Sequence, residues 1–438
     1  MQVHRQVRAV IEAPPIPARQ RTVPREVQQL RPSERRNLYT PNNHNLAPAR
    51  FELSAQLPVR YVVEECLGVL EPSSEALVRD VDTSAFPPML GNTCSGGRRL
   101  LAVDHNIAKL HEHKIRKYFQ EHDVPIHFHA IQADEQNKDF DQVFSLAAAM
   151  HEFSINRRNE PVIAIGGGVT LDTAGLACNL YRRNTPVIKV PTTLMGMVDA
   201  AIGIKTAVNF DQHKNRLGTY CAPMAVFLDP TFLSSLHPRH VANGAAEIIK
   251  MACMRDGDLF EALESYAQTD GYDFQGDLPR MIINRSVELM LQELEPNFWE
   301  AELYRLVDFG HSFSPHLEME ALASDFPLLH GEAVAIDMAL STCIARMRGL
   351  ISQRDHDRTL QLLIAYRLPI WHEKMTAEHM IYALESTTRG RDGLQRLPVA
   401  TGELGGATFI NDLTNEEVSQ ALNNLRTYAQ KHTSLQLC

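Results

Sequence analysis

The stretch PVIAIGGGVTLDTAGLACNLY, residues 161–181, decides the fold class of this chain. It begins with a short apolar run typical of a buried strand, and three glycines, Gly166 to Gly168, lead into a segment with helical character. Glycines let the backbone approach a pyrophosphate closely, and the N-terminus of the following helix offers it unpaired N–H groups. Because the spacing is not GxGxxG, a tight strand-to-helix turn without a ligand remains an alternative to dinucleotide binding.

Similar apolar runs lie on both sides of this stretch. They are found at 57–65, 98–104, 126–133, 185–191 and 224–230, separated by helical or loop segments. Strands that alternate with helices predict a largely parallel, doubly wound sheet. After about residue 236, long helical segments follow with almost no strand signal. The sequence therefore predicts an α/β N-terminal half and an all-α C-terminal half, with an active site in the cleft between them.

Composition excludes several classes of function. The 438 residues carry 43 Lys and Arg against 53 Asp and Glu, a formal net charge of −10, and 44% of the residues are hydrophobic. This balance argues against a disordered chain, a fibrous repeat or a general polyanion binder, so we expect no nucleic-acid partner. No apolar run of about 18 residues occurs, so we expect no membrane partner either. The N-terminal residues lack the apolar core of a secretory signal, and the seven cysteines form no CxxC, which predicts reduced thiols in the cytoplasm.

The first fifty residues differ in composition from the rest. They hold nine Arg, no Lys, three Glu and seven Pro, and they have few large apolar residues. Proline blocks regular structure, and a segment this poor in apolar groups cannot bury a core. We therefore predict a flexible basic extension over residues 1–50. Contact with an RNA or an acidic partner remains the alternative to a solvated appendage.

Three residues in the second half have the chemistry of a catalytic metal site. Glu247 lies three residues before Lys250, so both side chains share one helix face. His311 occurs in VDFGHSFSP and His330 in LLHGEAV, just ahead of a helix. Two imidazoles and one carboxylate, with positions left open for water or substrate, suit zinc. Sequence separation alone does not bring them together, so helix caps and hydrogen-bonded core groups remain the alternative.

A polar run, VPTTLMGMVDAAIGIKTAVNFDQHKNRLG, occupies residues 190–218. Its threonines, asparagines, lysines and Asp199 are interleaved with glycines and small residues. This composition predicts a loop that wraps a polar ligand, and lysines can hold a phosphate as point charges. A solvated charged loop is the alternative that the run by itself leaves open.

Together these strings resemble the sugar phosphate cyclases, the superfamily that includes 3-dehydroquinate synthase. The resemblance rests on GGGVTLD (166–172), VPTTLMGMVDAAIGIKTAVN (190–209), HKN (213–215), AAEIIK (245–250), DFGHSFSP (308–315) and HGEAVAIDMA (330–339), and it spans residues 57 to about 400. It implies a Rossmann-like NAD-binding α/β domain over 51–236 and a helical metal- and substrate-binding domain over 237–438. The implied cofactors are NAD and Zn²⁺, with Co²⁺ as the alternative metal.

The resemblance also implies roles for individual residues. The implied metal ligands are Glu247, His311 and His330. The implied cofactor-binding residues are Asp104, Glu135, Lys138, Gly167, Gly168, Val169, Asp172, Thr192, Thr193, Asp199 and Lys214. The implied catalytic residues are Lys205, Lys250, Asp199, Asn215 and Asp308. Arg183 matches an arginine that reaches a neighbouring subunit's site in this family, which implies a homodimer.

The family reaction is redox-neutral overall. NAD oxidises a hydroxyl of a sugar phosphate, the resulting ketone acidifies the neighbouring C–H, phosphate leaves by β-elimination, the hydride returns, and an intramolecular aldol closes a carbocycle. Within the superfamily, the string DFGHSFSPHLE (308–318) with GLQRLP (393–398) resembles the branch that makes seven-carbon cyclitols from sedoheptulose 7-phosphate, with 2-epi-5-epi-valiolone as the expected product. Products of the related 2-epi-valiolone and desmethyl-4-deoxygadusol synthases remain alternatives, because Gly390 stands where the branch usually has His.

Two positions set this chain apart from dehydroquinate synthase itself. Pro315 replaces the second histidine of that enzyme's motif, and Asp308 stands where that enzyme has Asn. Its substrate, a heptulosonate, carries a carboxylate at carbon 1, and we expect Asp308 to repel that carboxylate. Three other identities remain as alternatives. The first is dehydroquinate synthase itself, and the second is a metal-dependent polyol dehydrogenase, which shares the two-domain plan. The third is a catalytically inactive binding protein.

Overall fold

A computed structural model of the chain describes residues 51, 53–54, 59–79, 97–156, 159–211, 213–269, 273–322, 324–325 and 327–432. The predicted extension over residues 1–50 lies outside the described residues. Within the described part of the chain, no helix has both the length and the apolar character needed to cross a membrane.

The N-terminal half is built around a six-stranded parallel sheet of order β1-β8-β5-β4-β2-β3. All six predicted strands are confirmed. The strands are β1 (Val62–Glu65), β2 (Arg99–Asp104), β3 (Ile126–Ile131), β4 (Val162–Gly166), β5 (Val187–Pro191) and β8 (Ala225–Leu228). The helices of this half are α1 (His105–Glu121), α2 (Phe140–Glu152) and α3 (Gly168–Leu180). Every residue of β2, β4, β5 and β8 is buried, as expected of parallel strands covered on both faces.

The prediction of a loop over residues 190–218 is wrong in part. A π-helical turn, Gly196–Ala200, is followed by an antiparallel hairpin of β6 (Lys205–Phe210) and β7 (His213–Tyr220). Thr206 and Val208 of β6 are buried, and a Cβ built on Gly175 of α3 would meet Thr206 Cγ2 at 2.3 Å. The hairpin therefore packs directly on α3 through one face. Its charged residues occupy the other face, which is why the composition indicates a loop.

The C-terminal half is helical, in agreement with the predicted fold class. Its helices are α4 (Pro238–Arg255), α5 (Gly257–Ala267), α6 (Asp277–Leu294), α7 (Ser314–Ala321), α8 (His330–Met347), α9 (Gln353–Ala365), α10 (Ala377–Gly390) and α11 (Asn415–His432). One short antiparallel hairpin, β9 (Leu397–Ala400) with β10 (Ala407–Ile410), interrupts the helices. The predicted division after residue 236 stays a prediction; β8 ends at Leu228, and α4 begins at Pro238.

Helix α8 lies at the centre of this half. Every residue from Gly331 to Ala345 is buried, including Asp337. A helix that is buried all round must be covered on every side by other elements, and α4, α7, α9 and α11 pack against it. Its first residue is His330, so this candidate ligand is carried by the most enclosed helix of the half.

Candidate active site

The carboxyl ends of three adjacent strands form one edge of the sheet. Because β2, β4 and β5 are parallel neighbours, Asp104 and Gly166, which end β2 and β4, lie at this edge with Thr192, which follows β5. Asp104 caps α1 by accepting the N–H of Asn106 at 2.8 Å. Ligands of open α/β sheets bind outside such strand ends, so the sheet topology alone assembles a candidate nucleotide site here.

The glycine turn at this edge leaves room and donors for a ligand. A Cβ on Gly166 would come within 2.8 Å of Asp104 Cβ and 2.7 Å of Thr170, so a side chain is excluded there. Gly167 is the N-cap residue of α3 and, as a glycine, offers no side chain to cap the helix N-terminus. The buried hydroxyls of Thr170 and Thr192 have no hydrogen-bond partner among the described residues. An uncapped N-terminus beside unpaired buried hydroxyls fits the phosphates of a dinucleotide.

Several of the other predicted cofactor-binding and catalytic residues bond to one another. The Lys138 ammonium lies 2.6 Å from Asp172 Oδ2 and donates to Asn215 Oδ1 at 2.6 Å. Burial raises the pKa of Asp172, although Lys138 opposes the shift. Asn209 donates to Glu135 Oε1 at 2.9 Å, which ties the hairpin to the segment after β3. These contacts join the β6–β7 hairpin to the sheet edge.

The three candidate metal ligands converge. Glu247 on α4, His311 between α6 and α7, and His330 at the start of α8 each offer one atom, and these atoms lie within 4.8 Å of one another. The Nε2 atoms of His311 and His330 lie 3.9 and 3.6 Å from the same oxygen, Glu247 Oε1. That oxygen is buried and accepts no hydrogen bond from the described residues. An orphaned carboxylate oxygen facing two imidazole nitrogens fits a divalent metal.

The second ring nitrogen of each histidine has a partner. His311 Nδ1 lies 3.2 Å from the Phe309 carbonyl, and His330 Nδ1 lies 3.3 Å from Glu318 Oε2. In a neutral ring whose Nδ1 donates to such an acceptor, Nε2 is unprotonated, as metal ligation requires. Burial and the nearby Lys250 lower the pKa of His311 well below its usual value, which keeps that ring neutral.

Glu318, on α7, was missed by sequence reasoning. Its carboxylate contacts the ammonium of Lys214 on β7 as well as His330. Burial would raise the pKa of Glu318, but His330 and Lys214 outweigh it and lower the pKa to about 2. Glu318 therefore joins the hairpin of the α/β half to a candidate metal ligand of the helical half. Its position at the end of the string DFGHSFSPHLE, seven residues after His311, is a sequence signal that could have indicated this role.

Lys250 is almost fully buried beside the candidate metal ligands. Its ammonium forms an ion pair with Glu247 Oε2, one helical turn away on α4. Burial would lower the pKa of Lys250, but Glu247 and then Asp199 outweigh it and raise the pKa. Its neighbours therefore favour the charged form of Lys250 in a buried site, where a positive charge acts strongly on a nearby anion.

Asp199 lies where the two halves meet. It is half-buried in the π-helical turn Gly196–Ala200. Its charge acts on Lys250 and both candidate histidines in the helical half, and also on Asp172 in the α/β half. This position between the predicted cofactor and metal sites is compatible with the double role expected from the resemblance.

Asp308, which we expect to repel a substrate carboxylate, is paired with arginines in the structure. Its carboxylate oxygens lie 3.3 Å from Arg305 and 3.4 Å from Arg391. Arg305 also contacts Glu300 at 2.7 Å, and Glu300 pairs with Lys205. Two guanidinium groups neutralise Asp308, so simple repulsion of a substrate carboxylate does not follow. None of Arg305, Arg391 and Glu300 was predicted from the sequence.

The remaining predicted residues lie at the same sheet edge or on the surface. Val169 and Thr193 are half-buried at the glycine turn and after β5. Gly168, the first residue of α3, has room for a Cβ at ordinary contact distance from Ala200. Arg183 is exposed in the turn after α3.

Comparison with known proteins agrees with this architecture. The 3-dehydroquinate synthase N-terminal domain family matches residues 128–243, and the C-terminal domain family matches residues 244–389. A 2-epi-5-epi-valiolone synthase from Actinomyces sp is 45% identical over 384 residues, which is 86% of this chain and 98% of the relative. A demethyl-4-deoxygadusol synthase from Trichormus variabilis is 36% identical, over 74% of this chain and 80% of the relative.

A solved structure is similar over nearly the same length. It is ValA, a 2-epi-5-epi-valiolone synthase from Streptomyces hygroscopicus subsp. jinggangensis 5008, with NAD⁺ and Zn²⁺ bound. It is 42% identical to this chain with a TM-score of 0.79, and the match covers 86% of this chain and 100% of ValA. The α/β domain followed by a helical domain is thus the architecture of a solved relative.

Proposed function

The chain belongs to the 3-dehydroquinate synthase family, and from that membership we propose that it is an NAD- and metal-dependent sugar phosphate cyclase that converts sedoheptulose 7-phosphate to 2-epi-5-epi-valiolone. The observation that carries the proposal is the convergence of Glu247, His311 and His330 beside the buried Lys250. The 45% identity to a 2-epi-5-epi-valiolone synthase, against 36% to a demethyl-4-deoxygadusol synthase, supports the product.

The two cofactors and the protein side chains would supply different parts of the reaction. When bound, NAD accepts and returns a hydride while Zn²⁺, or Co²⁺ as the alternative, polarises the substrate oxygen. Glu247, His311 and His330 would hold the metal, with Nδ1 of each histidine fixed by Phe309 or Glu318. Asp104, the glycine turn and Thr192 would hold the dinucleotide at the sheet edge.

The lysines supply fixed positive charge. Lys250, buried and charged, would stabilise negative charge that develops on the substrate oxygen or on the departing phosphate. Lys214 is held by Glu318 and Glu135, so its ammonium is oriented before substrate arrives. Lys205, on the exposed side of β6, is paired with Glu300 and would exchange that partner for a substrate phosphate.

The decisive experiment is incubation with sedoheptulose 7-phosphate, NAD and Zn²⁺, with NMR identification of the product. We expect one phosphate released per cyclitol formed, 2-epi-5-epi-valiolone as the product, and no accumulation of NADH, because the hydride returns. A polyol dehydrogenase would accumulate NADH in proportion to product. Formation of a different cyclitol would contradict the product assignment while leaving the cyclase class intact.

We also propose that the enzyme is a homodimer in which Arg183 reaches the neighbouring site. Arg183 is exposed, and Arg182, Arg183 and Asn184 have φ values of 51°, 62° and 83°, in the left-handed region that non-glycine residues rarely adopt. Such backbone conformations persist only where the surrounding structure holds them, so this exposed turn is a candidate contact surface. The five described cysteines are free, which supports the cytoplasm as the compartment.

Mixing two inactive variants tests the shared site. Arg183→Ala and Lys250→Met should each lose activity, but their mixed dimers contain one site with both residues intact. After subunit exchange we expect recovery to about a quarter of wild-type activity, since half of the dimers are mixed and each has one complete site. No recovery, with exchange verified by mass spectrometry, would show that Arg183 does not act across the interface.

A further inference from the structure

The segment that carries His311 has no regular structure of its own. It runs from Gly310 to the first residue of α7, Ser314, and it lies directly on α8. Gly310 has a φ of +79°, and a Cβ there would come within 2.7 Å of Val334 Cγ1 and 2.9 Å of Met338 Cγ, both on α8. The position of His311 therefore depends on what fixes this segment to the helix.

A buried carboxylate on α8 binds the segment. Asp337 Oδ2 accepts the backbone N–H groups of three successive residues, Ser312, Phe313 and Ser314, at 2.8, 2.5 and 2.8 Å. Its other oxygen, Oδ1, accepts the hydroxyl of Ser341 at 3.1 Å. Asp337 is 0% exposed, and all four of these contacts are donors. Such an environment suits an acceptor-only carboxylate.

A buried cation holds the same segment from its other side. Arg391 donates from Nη1 to Ser312 Oγ at 3.1 Å and from Nη2 to the His311 carbonyl at 3.4 Å. Its charge interacts with that of Asp337. The amides of the segment thus point to a carboxylate, and a carbonyl next to them points to a guanidinium. This arrangement leaves the His311 backbone little freedom to shift.

Helix α8 also carries the other histidine. His330 is its first residue, and Asp337 follows two turns later, about 10 Å along the helix axis at 1.5 Å per residue. Both residues lie on one continuous helix, whose residues Gly331 to Ala345 are all buried, so the helix backbone fixes the distance between them. We propose that Asp337 is a positioning residue that sets the spacing of His311 from His330, so that one rigid helix fixes both imidazoles of the metal centre. This inference rests on the metal centre of the proposed function.

The expected effect is on metal affinity. Residues that orient metal ligands through hydrogen bonds typically contribute about 10–100-fold to metal affinity. Asp337→Ala, which leaves three buried N–H groups without an acceptor, should weaken Zn²⁺ binding by about that factor. Asp337→Asn keeps an acceptor oxygen but loses the charge that strengthens its bonds, so we expect a smaller loss of about fivefold.

A matched control separates positioning from folding. Asp229 is another buried carboxylate that caps backbone, accepting the N–H of Val69 at 2.8 Å and of Thr231 at 3.1 Å in the α/β half. Asp229→Asn should lower the melting temperature as Asp337→Asn does, because each loses charge-assisted bonds to buried amides. Only Asp337→Asn should change metal binding.

The experiment measures Zn²⁺ affinity of the full chain by competition with a chromophoric chelator, and the visible absorption of the Co²⁺-loaded protein, which reports ligand geometry. We expect a weakened affinity and an altered Co²⁺ spectrum for the Asp337 variants alone. Wild-type affinity and spectrum in Asp337→Asn would overturn the inference, even if Asp337→Ala does not fold. Failure of the wild-type protein to bind Zn²⁺ would instead overturn the metal centre itself.

Discussion

Replacing His311 by alanine is expected to abolish turnover and to leave less than one metal ion per chain, where the wild-type protein should hold about one. His311 Nε2 lies 3.9 Å from Glu247 Oε1, and with His330 it forms the only group of three ligands found among the described residues. Indirect positioning groups contribute about 10–100-fold, so losing a direct ligand should cost more than about 100-fold in turnover. Metal analysis and initial rates measure both effects.

His316 provides the control for this change. It lies five residues further along, in α7, and its ring packs against Tyr382 and His379 at centroid distances of 4.8 and 5.8 Å. His316→Ala should keep wild-type metal content and most of the activity. Wild-type activity that persists after exhaustive chelation would show that no metal takes part, and the ligand assignment would be wrong.

The second large effect is expected in the choice of substrate. The kcat/KM of the wild-type enzyme should be at least about 100-fold higher for sedoheptulose 7-phosphate than for the heptulosonate phosphate. Asp308→Asn should reduce that ratio about tenfold, in line with charged hydrogen bonds of roughly 1.5–3 kcal/mol. The reason is competition for cations. Asp308 occupies Arg305 and Arg391, so a substrate carboxylate finds both guanidinium groups already paired.

In Asp308→Asn, no carboxylate at position 308 would balance the positive charges of Arg305 and Arg391. A substrate carboxylate could then pair with them, whereas the hydroxymethyl group of sedoheptulose 7-phosphate gains nothing. Asp412→Asn is a control, because Asp412 also pairs with an arginine, Arg348 at 2.5 Å, at an exposed position. A wild-type enzyme that prefers the heptulosonate would contradict both the charge argument and the cyclitol assignment.

The strands and helices could be predicted because their signals are local. Short apolar runs bounded by turn residues locate β1 to β5 and β8. The signal is strongest for β4, β5 and β8, which are buried throughout, because burial on both faces of a parallel strand favours apolar residues. The hairpin β6–β7 was missed because it is buried on one face only. Its charged residues dominate the composition, and the packing of Thr206 on α3 is invisible in the sequence.

The identity of the candidate ligands was likewise predicted, from residue chemistry and the family motifs, but their environment was decided by the tertiary structure. Asp308 is separated from Arg391 by more than eighty residues, and Lys214 from Glu318 by more than a hundred, yet each pair is in contact. Sequence periodicity reports which face of an element is buried, not which distant side chain meets it. Charge balance at Asp308 and the fixed spacing of His311 from His330 arise from such distant contacts, because only packing of whole helices brings those groups within hydrogen-bonding distance.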